Sequence, residues 1–215
     1  MKPIAKRIIA DIVDELYGKS IMSNLIRPIY IERLLRRLLD GHWRYVGADW
    51  AGWDLENSVS RVRVEVKQSA ARQTWSDGLT REGKETKPIF DIKERSGYYS
   101  DGGAQWVATP GRPADIYIFA WHPLFHPIGD VDHTDPEQWE FHLLAERLLP
   151  KAQKTISLSA LKKLGAVCAR STDLSDKLEA LLPELQPLKW VSDQNLETPL
   201  LDGGLLDRTS DAERA

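Results

Sequence analysis

Apolar residues at a period near 3.6 open the chain. Ile4, Ile8, Ile9, Ile12, Val13 and Leu16 share one face and predict an amphipathic helix over residues 3–17, closed by Gly18. Ile31, Leu34, Leu35, Leu38 and Leu39 make a second stripe. Its helix starts at Ser23 or Asn24, or at Pro28 as first turn, and ends at Asp40-Gly41. The period then drops to two. "HWRYVGAD" (42–49) and "WDLEN" (53–57) read as strands, and "RVRVEVKQS" (61–69) is a third after a break at Asn57-Ser58. "AARQTW" (70–75) begins a helix or a turn. Residues 76–114 are rich in Gly and charge and read as a long functional loop or small insertion. "ADIYIFAWH" (114–122) is a buried strand and "WEFHLLA" (139–145) another. "TISLSALKKLG" (155–165) passes from a strand end into a helix capped by Ser157 or Ser159 and closed by Gly165; "DLSDKLEALL" (173–182) is a further helix. Helices, strands, an insertion, strands and helices in this order predict an α/β or α+β chain. Its mixed central β-sheet is flanked by helices, in a single domain over 1–191 with the insertion at about 76–114. Residues 192–215 form a polar, acidic tail expected to be partly disordered.

Composition narrows the classes. At 215 residues, 42% hydrophobic and 28% charged, the chain can bury a core without staples. Its one cysteine, Cys168, excludes an intrachain disulfide and a Cys-rich zinc site, and fits a reducing cytoplasm. No run approaches the 18 or so apolar residues of a membrane span, and Asp11, Asp14 and Glu15 break any signal-peptide reading of the N-terminus. Net charge is −3, but it is unevenly spread. Residues 1–45 sum to +4, 46–60 to −3, 61–114 to +3 and 115–215 to −7. A basic first half around a small acidic island suits a phosphate-binding cleft with a metal site; chance segregation gives the same sums.

The acidic island leads into the chemistry. On the third strand Glu65 and Lys67 are two apart and share a face. Asp54 lies on the preceding strand, where a hairpin brings it toward Glu65. Two carboxylates, a strand carbonyl such as that of Val66, and waters make the hard oxygen site that Mg²⁺ prefers. An ammonium group beside it orients a water and stabilises charge on a phosphate. The competing reading is the wet face of an amphipathic strand, with Arg63, Glu65 and Lys67 paired across to Asp54 or Glu56.

An aspartate followed about ten residues later by Glu-x-Lys on a strand resembles the PD-(D/E)-x-K nuclease superfamily. Asp54 matches the aspartate, and Glu65 and Lys67 the acid-x-lysine element; Glu32 in "YIERLLRRLL" matches the acid often supplied by a preceding helix. Trp53 stands where the motif's name has proline. The resemblance is strongest over residues 24–75. It implies a restriction-endonuclease-like core and Mg²⁺-dependent hydrolysis of DNA, with Mn²⁺ able to substitute. Asp54, Glu65, Glu32 and the Val66 carbonyl would then be ligands, and Lys67 the residue that positions water. An endonuclease is expected, and a homodimer would suit double-strand cutting. Gln68, Ser69, Lys84, Lys87, Lys93 and Arg95 are the expected nucleic-acid contacts. Without metal, the crowded carboxylates should repel one another, so Mg²⁺ or Mn²⁺ should raise thermal stability.

Other motifs point less far. His122, His126 and His133 are zinc-type residues, but Pro123 and Pro127 deny them a helix, which favours a structural role. No phosphate-binding Gly-Lys-Ser/Thr loop is present. The aromatics of "YYSDGGAQW" (98–106) could stack on bases or pack under their own loop. The tryptophans of "WAGWD" (50–54) read as packing residues. Two alternatives to an enzyme remain open: a binding module for nucleic acid or protein on the same fold, and an interaction protein whose strand charges are merely solvated.

Overall fold

A computed structural model describes residues 2–39, 41–47, 51–77, 84–100 and 104–185. Two helices, α1 (Pro3–Tyr17) and α2 (Arg27–Leu38), precede the strands β1 (Trp43–Tyr45), β2 (Leu55–Asn57) and β3 (Arg63–Ala70). The expected insertion holds three short strands, β4 (Ile89–Asp91), β5 (Tyr98–Ser100) and β6 (Gln105–Val107). Then come β7 (Ile116–His122), β8 (Glu140–Ala145), β9 (Thr155–Ser157), α3 (Leu158–Lys163), β10 (Val167–Ala169) and α4 (Leu174–Leu181).

The chain is mixed α/β. Its main sheet has six strands in the order β1-β2-β3-β7-β8-β10. The β3–β7 pair is parallel and the other pairs are antiparallel. Every residue of β7 is buried, because both faces of this central strand are covered; that is why it reads as an unbroken apolar run. On one face Val64, Val66, Ile116, Ile118, Phe141 and Leu143 meet Ile31 and Leu35 of α2 and Leu174 and Leu178 of α4. On the other face Tyr117, Phe119, Trp121 and Leu144 meet Phe90, Ile156, Leu158 and Leu161. The strands β4 and β9 pair as a ribbon over this second face, and β5 and β6 form a hairpin of their own.

Most predicted elements are present, with differences at the short ones. Pro28 lies in the first turn of α2, and Ser157 caps α3 by accepting from the Ala160 N–H. Of the helix or turn expected at 70–75 the turn is found: β3 runs through Ala70 and a single 3-10 turn follows at Thr74–Asp77. The strand β10 was not expected: three residues are too few to display a period. The predicted stripe of α1 exists but finds no cover among the described residues. Ile4, Ile8, Ile9, Ile12 and Val13 are all exposed. No helix among the described residues is long and apolar enough to cross a membrane. The tail expected at 192–215, the Asp40 helix end, Ala48 and Asp49 of the first predicted strand, Trp50, and 101–103 of the aromatic segment lie outside the described residues.

Candidate metal and nucleic-acid site

The turn between β2 and β3 sets the geometry. Asn57 Oδ1 accepts from the N–H groups of Val59 and Ser60, both at 2.9 Å, which holds an Asx-type turn. The hairpin therefore pairs Leu55 with Val64 and Glu56 with Arg63. Asp54 sits just before β2, close enough to Glu65 for the Glu65 charge to act on it. The Asp54 N–H donates to the Val64 carbonyl at 2.9 Å, and its Oδ2 accepts from the Val66 N–H at 2.6 Å. In an extended strand the N–H and C=O of one residue point to the same edge, so the Val66 carbonyl points toward Asp54 as well. Gly47 lies against this carboxylate: a Cβ there would come within 3.0 Å of Asp54 Oδ1.

Glu65 is buried, so the reading of β3 as a wet strand face does not hold at this residue. Its Oε1 receives both Lys67 Nζ at 2.6 Å and Arg95 at 2.7 Å. Arg95 comes from the insertion, where its second nitrogen donates to the Ala51 carbonyl at 2.8 Å. Glu32 arrives from α2 and hydrogen-bonds with the Tyr45 hydroxyl. Burial first, and then the charge of Glu65, push the Glu32 carboxyl up to about 7. Burial, followed by the charges of Glu65 and Glu32, holds Asp54 well above the usual carboxylate range. The fold thus crowds three acids together, although two cations already lean on one of them.

A cleft of about 990 Å³ opens over β3 and β7. Glu65, Lys67 and Tyr117 line its sheet side, and Lys93, Arg95, Tyr99 and Trp106 belong to its insertion side. Tyr99 and Trp106 meet edge to face, with ring centroids 5.0 Å apart. Asp54 and Glu32 are not part of the cleft wall; they stand beyond Glu65, toward β1 and α2.

The expected nucleic-acid contacts separate into groups. Lys93 and Arg95 line the cleft. Lys84 and Lys87 are exposed but do not line it. Gln68 faces away from Lys67, and its Oε1 accepts from Arg27 Nε at 2.5 Å; Ser69 is buried. Trp53 packs edge to face on Tyr98 at 5.5 Å, with Arg63 over its ring, as a packing residue does. His122 and His133 are both buried and meet ring to ring at 4.8 Å, while His126 is exposed and apart from them. Sequence reasoning missed Tyr45 and Tyr117 at the site, and missed Arg95 as a partner of Glu65. The Arg95–Glu65 contact spans 30 positions, with no motif to signal it.

No protein-family model matches this chain, and no curated protein or solved structure matches it either.

Proposed function

We propose that this chain is a metal-dependent nuclease that hydrolyses DNA phosphodiester bonds, an endonuclease with a restriction-endonuclease-like core. The observation that carries the reading is the crowding of Asp54, Glu65 and Glu32, whose charges act on one another, with Lys67 2.6 Å from Glu65. The donor set fits a hard divalent cation: carboxylate oxygens with a strand carbonyl, in a buried setting where burial first and then mutual charge raise Asp54 and Glu32. Asp54, Glu65, Glu32 and the Val66 carbonyl would hold Mg²⁺ or Mn²⁺. The ion would supply charge neutralisation at the phosphate and lower the pKa of a water. Lys67 then orients that water and balances the negative charge that grows on the phosphate. Arg95 and Lys93 hold the backbone in the cleft, and Tyr99 and Trp106 offer faces to bases.

One observation favours a second reading. Both Lys67 and Arg95 neutralise the same Glu65 oxygen. A site closed in this way, and kept closed, would be an inactive nuclease-fold module that binds nucleic acid or protein. Incubation of plasmid with wild type and Lys67→Ala, in Mg²⁺ or Mn²⁺ against EDTA, separates the two. The nuclease reading expects metal-dependent nicking that falls about 10²–10³-fold in the variant. Retained plasmid binding without any cleavage selects the binding module.

A further inference from the structure

The same sheet face carries a second group of ligand-type side chains at its far edge. The β8–β10 register sets Cys168 opposite His142. Continued by two residues, it sets Arg170 opposite Glu140, so all four side chains share one face. One ligand atom each from Glu140, His142 and Cys168 lies within 4.8 Å of the other two. Tetrahedral zinc, with bonds of about 2.0–2.3 Å, needs its ligand atoms roughly 3.3–3.8 Å apart, which a small side-chain rotation supplies. His142 is fully buried and turns its Nε2 to Glu140, 3.4 Å from Oε2, so two of the ligand atoms already face each other. Cys168 is exposed, which leaves the group open to solvent on one side.

We propose that Glu140, His142 and Cys168 bind one Zn²⁺ per chain, with a water completing the tetrahedron. The mixed donors decide the metal: a thiolate and an imidazole suit a borderline-soft ion, whereas the all-oxygen group at Asp54 and Glu65 suits Mg²⁺. Arg170 already holds the other Glu140 oxygen at 2.9 Å, as an outer partner that orients a ligating carboxylate does. The site is separate from the acid group. His142 pairs with Phe119, and Phe119 with Lys67, so two strand spacings, about 10 Å, and an aromatic ring lie between them. The ion would fasten the short edge strand β10, whose one partner among the described residues is β8, to the sheet.

Because Cys168 is the chain's single cysteine, its thiol reports on the site without ambiguity. The full chain, stripped with EDTA, is titrated with Co²⁺. A near-ultraviolet thiolate-to-cobalt band that saturates at one ion per chain is expected. Zn²⁺ should abolish the band by displacement, and should protect the thiol from a disulfide labelling reagent. Asp54→Asn should retain the band, and Cys168→Ser, checked for folding by circular dichroism, should lose it. No band, saturation at half an ion per chain, or thiol labelling unaltered by saturating Zn²⁺ would overturn the proposal. None of these readouts depends on DNA cleavage.

Discussion

The two ends of β3 hold buried polar groups of opposite character. At the Glu65 end three acids crowd together, and burial first, then their mutual charge, pushes Asp54 and Glu32 toward the protonated form. Toward Ala70 most polar groups answer one another, with His122 Nδ1 and His133 Nε2 left without a hydrogen-bond partner among the described residues. Arg27, fully buried, donates to Gln68, to Gln73 at 3.0 Å and to Asn24. His122 meets the Asp132 carbonyl and Gln138, and His133 accepts from the Met22 N–H at 3.1 Å. A polar network that is largely satisfied internally maintains the fold. A cluster that repels itself is tolerated where something else is to bind, and on this difference rests our proposal that the Asp54 end is the functional one.

The largest contrast is expected in activity. Glu65→Ala at the crowded end should lower metal-dependent plasmid nicking by about 10³-fold. Its melting temperature should stay near that of wild type, because relief of Asp54 and Glu32 offsets the lost pairing of the partly exposed Lys67 and Arg95. A variant that cleaves normally removes Glu65 from the site. Next in size is the opposite case. Arg27→Ala strips buried donors from Gln68 and Gln73 and should cost about 3 kcal/mol of stability, read by urea unfolding, while the folded fraction cleaves normally. A neutral effect on stability would mean that the matched network does not hold the fold.

pH sharpens the comparison, since the two ends titrate in opposite senses. Burial first, then the charges of His122 and Arg27, lower His133 from 6.5 to about 3. Between those values the unfolded chain binds the extra proton, so the His133 contribution is complete above pH 6.5 and is lost as pH falls toward 3. Glu32 runs the other way. Raised from 4.5 to about 7, it contributes fully below pH 4.5 and loses that contribution as pH climbs through 7. In metal-free urea titrations Glu32→Gln should flatten the alkaline fall, and His133→Asn the acid one. Unchanged slopes would contradict the assignments. The smallest effect is expected at the cleft mouth, where Trp106 is 47% exposed. Trp106→Ala should weaken single-stranded DNA binding by about 1 kcal/mol, read by fluorescence anisotropy.

How much of this was legible follows from distance along the chain. The alternation of Val62, Val64 and Val66 with Glu65 and Lys67 announces a strand and its two faces. The turn at Asn57 is equally local, and the hairpin register follows from it. Glu32 was placed by its helix, though nothing local says that Tyr45 would meet it. Arg95 was legible as a basic residue but not as the partner of Glu65, because the contact depends on how the insertion folds back. The short strands β4, β5, β6 and β10 have three residues each, below the length at which a period appears. The α1 stripe teaches the converse: periodicity fixes a helix and its apolar face, not what covers that face.

The claim on which the functional account rests is that Asp54 and Glu65 together grip a divalent ion. Thermal unfolding of wild type and Asp54→Asn, without metal and in rising Mg²⁺ or Mn²⁺, tests it most directly. Without metal the amide should make the variant the more stable protein, since it removes one of the crowded charges yet can keep an oxygen toward the Val66 N–H. With metal at about 100 times the dissociation constant, wild type should gain about 2.7 kcal/mol and overtake a variant that gains little. Equal responses in the two proteins, or no response in wild type at millimolar metal, would contradict it.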